Sequence, residues 1–211
     1  MILQNFIVFE GIDGTGTTTQ IKKLVKEFEK HGIRAIDTME PTESEIGKLI
    51  NSFLSQKLEF SEPTIARLFA CDRCEHIYGK NGILDLLKEK NIVLSDRYLF
   101  SSLAYQGRGK MLELTQSQNK DFPLPEVLFL LDIPVKKAID RINMRGDTRE
   151  RYEKVDFLNF VRENYLKIIE EYKQKEPLMS IRIVDASSSE EEVFCKIKKD
   201  IEEIGFLRKT N

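Results

Sequence analysis

Short apolar runs alternate along this chain with longer charged stretches in which apolar residues return every third or fourth position. The first pattern is that of buried strands and the second that of amphipathic helices. Strands are predicted at residues 6–9, 33–36, 92–95, 127–132 and 181–184, most without polar alternation, as parallel strands covered on both faces are. Between them helices are predicted over 18–30, 45–54, 63–78, 82–90, 135–144, 157–175 and 190–204. Ser189, three residues before Glu192, has the spacing of a capping box for the last of these. The alternation predicts an α/β fold. Residues 107–125, with Gly, Gln, Asn and two prolines, predict an irregular connection holding one short helix around 111–116. Residues 145–153 are densely charged around Gly146. Arg145, Arg149 and Arg151 there fit either a solvated helix–helix loop or a lid closing over an anion.

Composition narrows the class. A chain of 211 residues, 41% hydrophobic and 32% charged, is expected to form one domain over 1–211 with a core that needs no disulfide or structural metal. Three cysteines are not a disulfide framework and point to a reduced, cytoplasmic protein. Lys and Arg number 33 against 35 Asp and Glu, so the net charge of −2 gives no overall pull toward nucleic acid or an anionic membrane. Phosphate chemistry must then come from a local site. The first residues carry no basic segment, and Glu10 and Asp13 interrupt them, so they read as a strand and not as a secretory leader. No apolar run approaches the ~20 residues that span a bilayer.

The densest local chemistry follows the first predicted strand. Gly11, Gly14 and Gly16 lie in Gly11-Ile-Asp-Gly-Thr-Gly-Thr-Thr18, between that strand and the first helix. In this context a turn of the G-x-x-x-x-G-K-[ST] type cradles phosphate with successive backbone N–H groups, although a glycine turn can also be only structural. Thr18 takes the place of the hydroxyl that ligates Mg2+; Thr17 takes the place of the lysine that reaches the β- and γ-phosphates. Residues 91–98 are an apolar strand ending in Asp96-Arg97-Tyr98, at the edge where doubly wound sheets bind ligands. Asp96 suits a Mg2+-bound water and Arg97 a bidentate phosphate grip, against the plainer reading of a surface ion pair. Phe69 and Arg73, four apart on one helix, set a ring beside a hydrogen-bonding fork, which suits a nucleobase. Cys71 and Cys74 lack the second pair that zinc needs and read as helix-packing residues. His31 before Gly32 reads as a helix end, and His76 as a surface residue.

Taken in order, Glu10-Gly-Ile-Asp13-Gly-Thr-Gly16, Glu40-Pro41, Leu68-Phe-Ala-Cys-Asp-Arg73, Asp96-Arg97-Tyr98, Ser101-Ser-Leu-Ala-Tyr105-Gln106-Gly107, Pro125-Glu-Val-Leu-Phe-Leu-Leu-Asp132 and Val184-Asp185-Ala186 resemble the thymidylate kinase family over about residues 5 to 204. The resemblance implies a doubly wound five-stranded parallel sheet with helices on both faces. It further implies a phosphate loop at 11–18, a short lid at about 145–155, and ATP-dependent conversion of dTMP to dTDP in dTTP synthesis, with Mg2+. It implies Asp13 beside the sugar 3′-hydroxyl and acceptor phosphate, Phe69 on thymine, Arg73 and Ser102 at the base edge, Tyr105 crowding the 2′ position, and Glu40, Ser101 and Gln106 also around dTMP. Arg97 would hold the acceptor phosphate, and Thr18 and Asp96 the metal. Gly11, Gly14, Thr15, Gly16, Thr17, Thr18 and Thr19 would cradle ATP, Arg141 would lie on adenine with Ser187 nearby, and Arg145, Arg149 and Arg151 would close over the transferring group. A homodimer through helices beside the acceptor site is also implied, with neither nucleic acid nor membrane as partner.

Two positions depart from that pattern: Thr17 replaces the loop lysine, and Met39 replaces an arginine that commonly precedes Glu40-Pro41. Both remove positive charge from phosphates. Gly14 and Thr15 supply no transition-state arginine, so the chain resembles the lid-arginine type. The alternatives are a nucleotide-binding regulatory module without catalysis and a kinase for another pyrimidine monophosphate.

Overall fold

The computed structural model describes residues 1–145 and 154–207. Arg149, Arg151 and the side chain of Arg145 lie outside the described residues. Five strands, β1 (Ile2–Glu10), β2 (Ala35–Met39), β3 (Ile92–Asp96), β4 (Leu124–Asp132) and β5 (Ser180–Asp185), pair in the order β2-β3-β1-β4-β5, all parallel. The central strand explains the unbroken apolar run. Phe6 and Val8 belong to the core on one face and Ile7 and Phe9 to the core on the other, all fully buried. On the first face lie α3 (Glu62–Tyr78), α4 (Ile83–Lys88), α5 (Leu99–Gln106) and α8 (Val155–Lys175); on the second, α1 (Thr17–Lys30) and α9 (Glu190–Ile204); α2 (Glu45–Leu54) packs Ile50 and Phe53 against Ile65 of α3. The sheet is therefore doubly wound, and its strands all deliver their carboxyl ends to one edge. Among the described residues no helix is long and apolar enough to cross a membrane.

Local rules account for most boundaries. Ser189 accepts from the Glu192 amide and the Glu192 carboxylate accepts from the Ser189 amide, the reciprocal box that starts α9. At the end of α1, Gly32 (φ 70°) turns left-handed, with Ile33 N–H bonded to Phe28 O at 3.0 Å and Gly32 N–H to Glu29 O at 2.9 Å. That motif corrects the second predicted strand. Ile33 is the apolar residue that folds back on the helix end, so β2 begins at Ala35 and extends to Met39, opposite Asp96. The irregular connection holds a 3-10 turn at Gly109–Met111 and a longer helix than predicted, α6 (Leu112–Asn119). Helix α5 has no sequence-based counterpart, because eight residues span barely two turns and its serines and Tyr105 blur the apolar stripe of Leu99, Phe100, Leu103 and Ala104.

Candidate active site

The turn after β1 is fixed by backbone geometry. Thr15 donates to Ile12 O through both its amide (3.3 Å) and its hydroxyl (2.9 Å). Gly14 (φ 85°) passes so close to α7 (Val135–Arg145) that a Cβ would stand 2.6 Å from Ala138 O. Gly16 (φ 91°) starts α1 in the left-handed conformation without a side-chain cap, which leaves the first-turn amides facing outward, the arrangement that takes an anion.

Beside it lies a cavity of about 650 Å3. Asp13, Gly14 and residues 16–19 form one wall; Met39, Glu40, Pro41, Asn51, Leu54 and Phe69 form another, and Ser101, Ser102, Tyr105 and Gln106 of α5 a third. Asp96 and Arg97 occupy the floor between them. Thr18 Oγ1 donates to Asp96 Oδ2 at 2.5 Å, joining the start of α1 to the end of β3. This hydroxyl and carboxylate offer hard oxygen donors that suit Mg2+, whose remaining positions are usually filled by water and phosphate oxygens. Among the described residues no group of three His, Cys, Asp or Glu could hold a metal ion.

Arg97 (φ 75°) turns its guanidinium back across β1, donating to Asp13 Oδ1 at 2.8 Å and to the Tyr165 hydroxyl at 3.1 Å. Tyr105 donates to the other Asp13 oxygen at 3.2 Å, and its ring lies 5.9 Å from the guanidinium carbon. Burial works against the Arg97 charge most strongly. Tyr105, Tyr165, Asp13 and Glu10 together outweigh it and hold the guanidinium well above its ordinary range. Arg97 is the only Lys, Arg or His among the described lining residues, against Asp13, Glu40 and Asp96.

Glu10 lies beneath this pair, fully buried. It accepts from the Tyr98 amide (2.9 Å), the Ser101 amide (3.1 Å), the Ser101 hydroxyl (2.6 Å) and the Tyr165 hydroxyl (2.8 Å). Burial raises its pKa to about 7, although Arg97 and the hydrogen bonds pull the other way. The folded protein thus holds the Glu10 proton more tightly than the unfolded chain. The associated stability is complete below the ordinary carboxylate range and is lost as pH rises through about 7, a change on the order of 3 kcal/mol. As pH falls from about 8.5 to about 5, the parent should therefore gain stability over Glu10→Gln, as read by denaturant unfolding at each pH. Identical pH slopes for the two proteins would show that Glu10 ionises normally.

The base-side wall differs from the sequence-based expectation at several residues. Arg73 does not line the cavity: 1% exposed, it donates to Glu40 Oε2 (2.6 Å), Asn119 Oδ1 (2.5 Å) and Ser102 Oγ (3.1 Å) between the rings of Tyr98 and Phe122. It supports Glu40 and Ser102, which do line the cavity. His76 is not a surface residue, since its ring bridges Glu40 Oε1 (3.1 Å) and Thr38 Oγ1 (2.7 Å). Nor do Cys71 and Cys74 pack inside. Both are exposed, because α3 turns Ile65, Ala66, Asp72, Arg73 and Ile77 inward instead. Arg141 donates to Ala186 O (2.8 Å), Ser188 O (3.1 Å) and Thr15 O (3.5 Å), tying the turn after β1 to the loop after β5 that contains Ser187. Gly11, Thr15, Arg141 and Ser187 stand outside the cavity lining, and Thr17, 6% exposed, is within it. Sequence reasoning missed Asn51, Asn119 and Tyr165 and gave Glu10 no role. Only Glu10 carried a signal, an acid ending an apolar strand.

An uncapped glycine turn facing a hydroxyl–carboxylate pair and a partly buried guanidinium, at the carboxyl edge of a doubly wound sheet, defines a phosphate-loop kinase of small nucleotides. The chain belongs to the thymidylate kinase family, whose model, described as "Thymidylate kinase", matches residues 9–197. A relative in Treponema pallidum (strain Nichols), which also carries the thymidylate kinase name, is 42% identical over 98% of this chain and 99% of that protein. A "Probable thymidylate kinase" of Pyrococcus horikoshii is 42% identical over 91% of this chain and 93% of that protein. The solved thymidylate kinase from Candida albicans superposes with a TM-score of 0.81 at 26% identity, covering 96% of this chain and 93% of that one.

Proposed function

We propose that this chain transfers the γ-phosphoryl group of ATP to dTMP, giving dTDP and ADP, in the cavity between the turn at 11–19 and α5. The observation that carries this reading is Arg97, a partly buried cation in the cavity floor beside the Thr18–Asp96 pair. Phosphoryl transfer asks the protein mainly for positioning and charge stabilisation. On this reading the residues from Gly11 to Thr19 cradle the ATP phosphates and Arg97 grips the acceptor phosphate. Asp13 orients Arg97 and meets the sugar, Phe69 stacks on thymine, Ser102 and Gln106 bond around the base and sugar, and Tyr105 excludes a 2′-hydroxyl. Thr18 and Asp96 would hold Mg2+, which when bound neutralises charge on the phosphates. Arg141 positions the adenine side through its grip on the loop around Ser187. The exposed face of α3 with Arg67, Cys71, Cys74, Glu75 and Tyr78 is the surface on which a second copy would pack, a homodimer that sedimentation equilibrium distinguishes from a monomer. An enzyme drawing on ATP in this way would work in the cytoplasm.

Purified protein with ATP, Mg2+ and dTMP should produce dTDP and ADP in equal amounts, with dUMP a weaker acceptor, since one methyl group is worth only about 1–3 kcal/mol. Thr17→Lys, assayed alongside, tests how the missing ammonium is replaced. If Arg149 or Arg151 supplies that charge, the substitution should raise kcat by less than about tenfold. Loss of either arginine should lower kcat by on the order of 10²-fold. A nearly inert parent that Thr17→Lys speeds by several orders of magnitude would instead mark the chain as a binding module.

A further inference from the structure

The Tyr165 hydroxyl belongs to α8, far from the phosphate turn in sequence and outside the cavity lining, yet it touches three groups at the centre of the site. It donates to Glu10 Oε2 at 2.8 Å, lies 2.9 Å from Ser101 Oγ, and accepts from Arg97 at 3.1 Å. The side chain is 1% exposed, its ring set edge-on against Tyr105 at 6.2 Å. We infer that Tyr165 is a positioning residue for phosphoryl transfer, its hydroxyl oriented by Glu10 so that its lone pair holds Arg97 toward the acceptor phosphate.

The direction of each hydrogen bond supports this. Arg97 can only donate, and the Tyr165 hydroxyl spends its single proton on Glu10 Oε2, so its lone pair is left for Arg97. Of the two oxygens these groups contact, Asp13 takes one Arg97 nitrogen from the cavity side, and Tyr165 takes the other from beneath. Two supports on different nitrogens fix the guanidinium plane, which a bidentate phosphate contact requires. Glu10 faces Arg97 just after β3, Ser101 and Tyr105 on α5 and Tyr165 on α8, so the oriented hydroxyl depends on groups from several elements around the site. Removing the hydroxyl leaves the ring packing and takes away one support.

The inference rests on Arg97 gripping the acceptor phosphate, so Arg97→Ala is measured beside Tyr165→Phe. Tyr165→Phe should raise the KM for dTMP about tenfold, with the KM for ATP within twofold of the parent, a selective effect that a general loss of packing would not give. Glu10→Gln should raise the same KM, and the double variant should be no worse than the worse single one, because both act through one hydroxyl. A Tyr165→Phe enzyme with parental KM for dTMP overturns the inference, as does a double variant whose defects multiply. If Arg97→Ala also leaves that KM unchanged, the assignment of Arg97 itself falls. If only Arg97→Ala raises it, that assignment stands and the Tyr165 inference alone fails.

Discussion

Arg97→Ala is expected to raise the KM for dTMP by about 10²- to 10³-fold while the KM for ATP changes only a fewfold. Arg97 is the one cation among the described residues lining the cavity, and the carboxylates of Asp13 and Asp96 flank it. Its removal leaves a dianionic acceptor facing two acids with no cation left among the described lining residues. Truncating one partner of a buried charge pair commonly costs about 2–5 kcal/mol, and each 1.4 kcal/mol is tenfold. The fold should tolerate the change, since the Asp13 side chain is 35% exposed and water can solvate it once unpaired. Steady-state kinetics with each substrate varied, together with calorimetric dTMP binding, read the outcome. Equal losses toward ATP and dTMP would place Arg97 on the donor phosphates instead.

The second large effect concerns stability. Arg73→Ala should destabilise the protein by about 3–5 kcal/mol, because the Glu40 carboxylate beside it is only 2% exposed and would lose its main counter-charge. The His76 ring at 3.1 Å would be the remaining neighbour able to pair with it. The Tyr98–Arg73–Phe122 stack would also open. On a total stability of about 5–15 kcal/mol such a loss is a large fraction, visible as a lowered denaturant midpoint. Adding Glu40→Gln should recover part of it, since the buried charge goes with its partner. Unchanged folding combined with lost discrimination among bases would instead return Arg73 to the base edge, where the resemblance places it.

How much of this was legible in the chain depends on the range of the interaction. Buried strands announce themselves because both faces of the sheet are covered, and β1, β3 and β4 sit where unbroken apolar runs predict them, while the edge strand β5, mostly unburied, keeps Arg182 within its apolar residues. The Ser189 box is local, decided by residues within a few positions, whereas the Gly14–Gly16 turn is local in its left-handed φ angles but needs Gly14 also for its close approach to Ala138 on α7. Helix α5 was not legible, since its polar side faces the cavity and its apolar side is too short to set a period. β2 was displaced because Ile33 satisfies a helix end before the strand begins.

The sequence by itself determined the α/β class, the glycine turn after β1 and the positions of Asp96 and Arg97 at a strand end, since periodicity, left-handed glycines and strand termini are largely properties of neighbouring residues. Only the tertiary structure decided the partners. Thr18 meets Asp96 across 78 positions, Arg73 is drawn behind the wall by Glu40 across 33, and Glu10 meets Tyr165 across 155. A side chain's charge state and direction depend on what burial removes and which groups replace water, and those groups come from strands and helices that only the assembled sheet brings together.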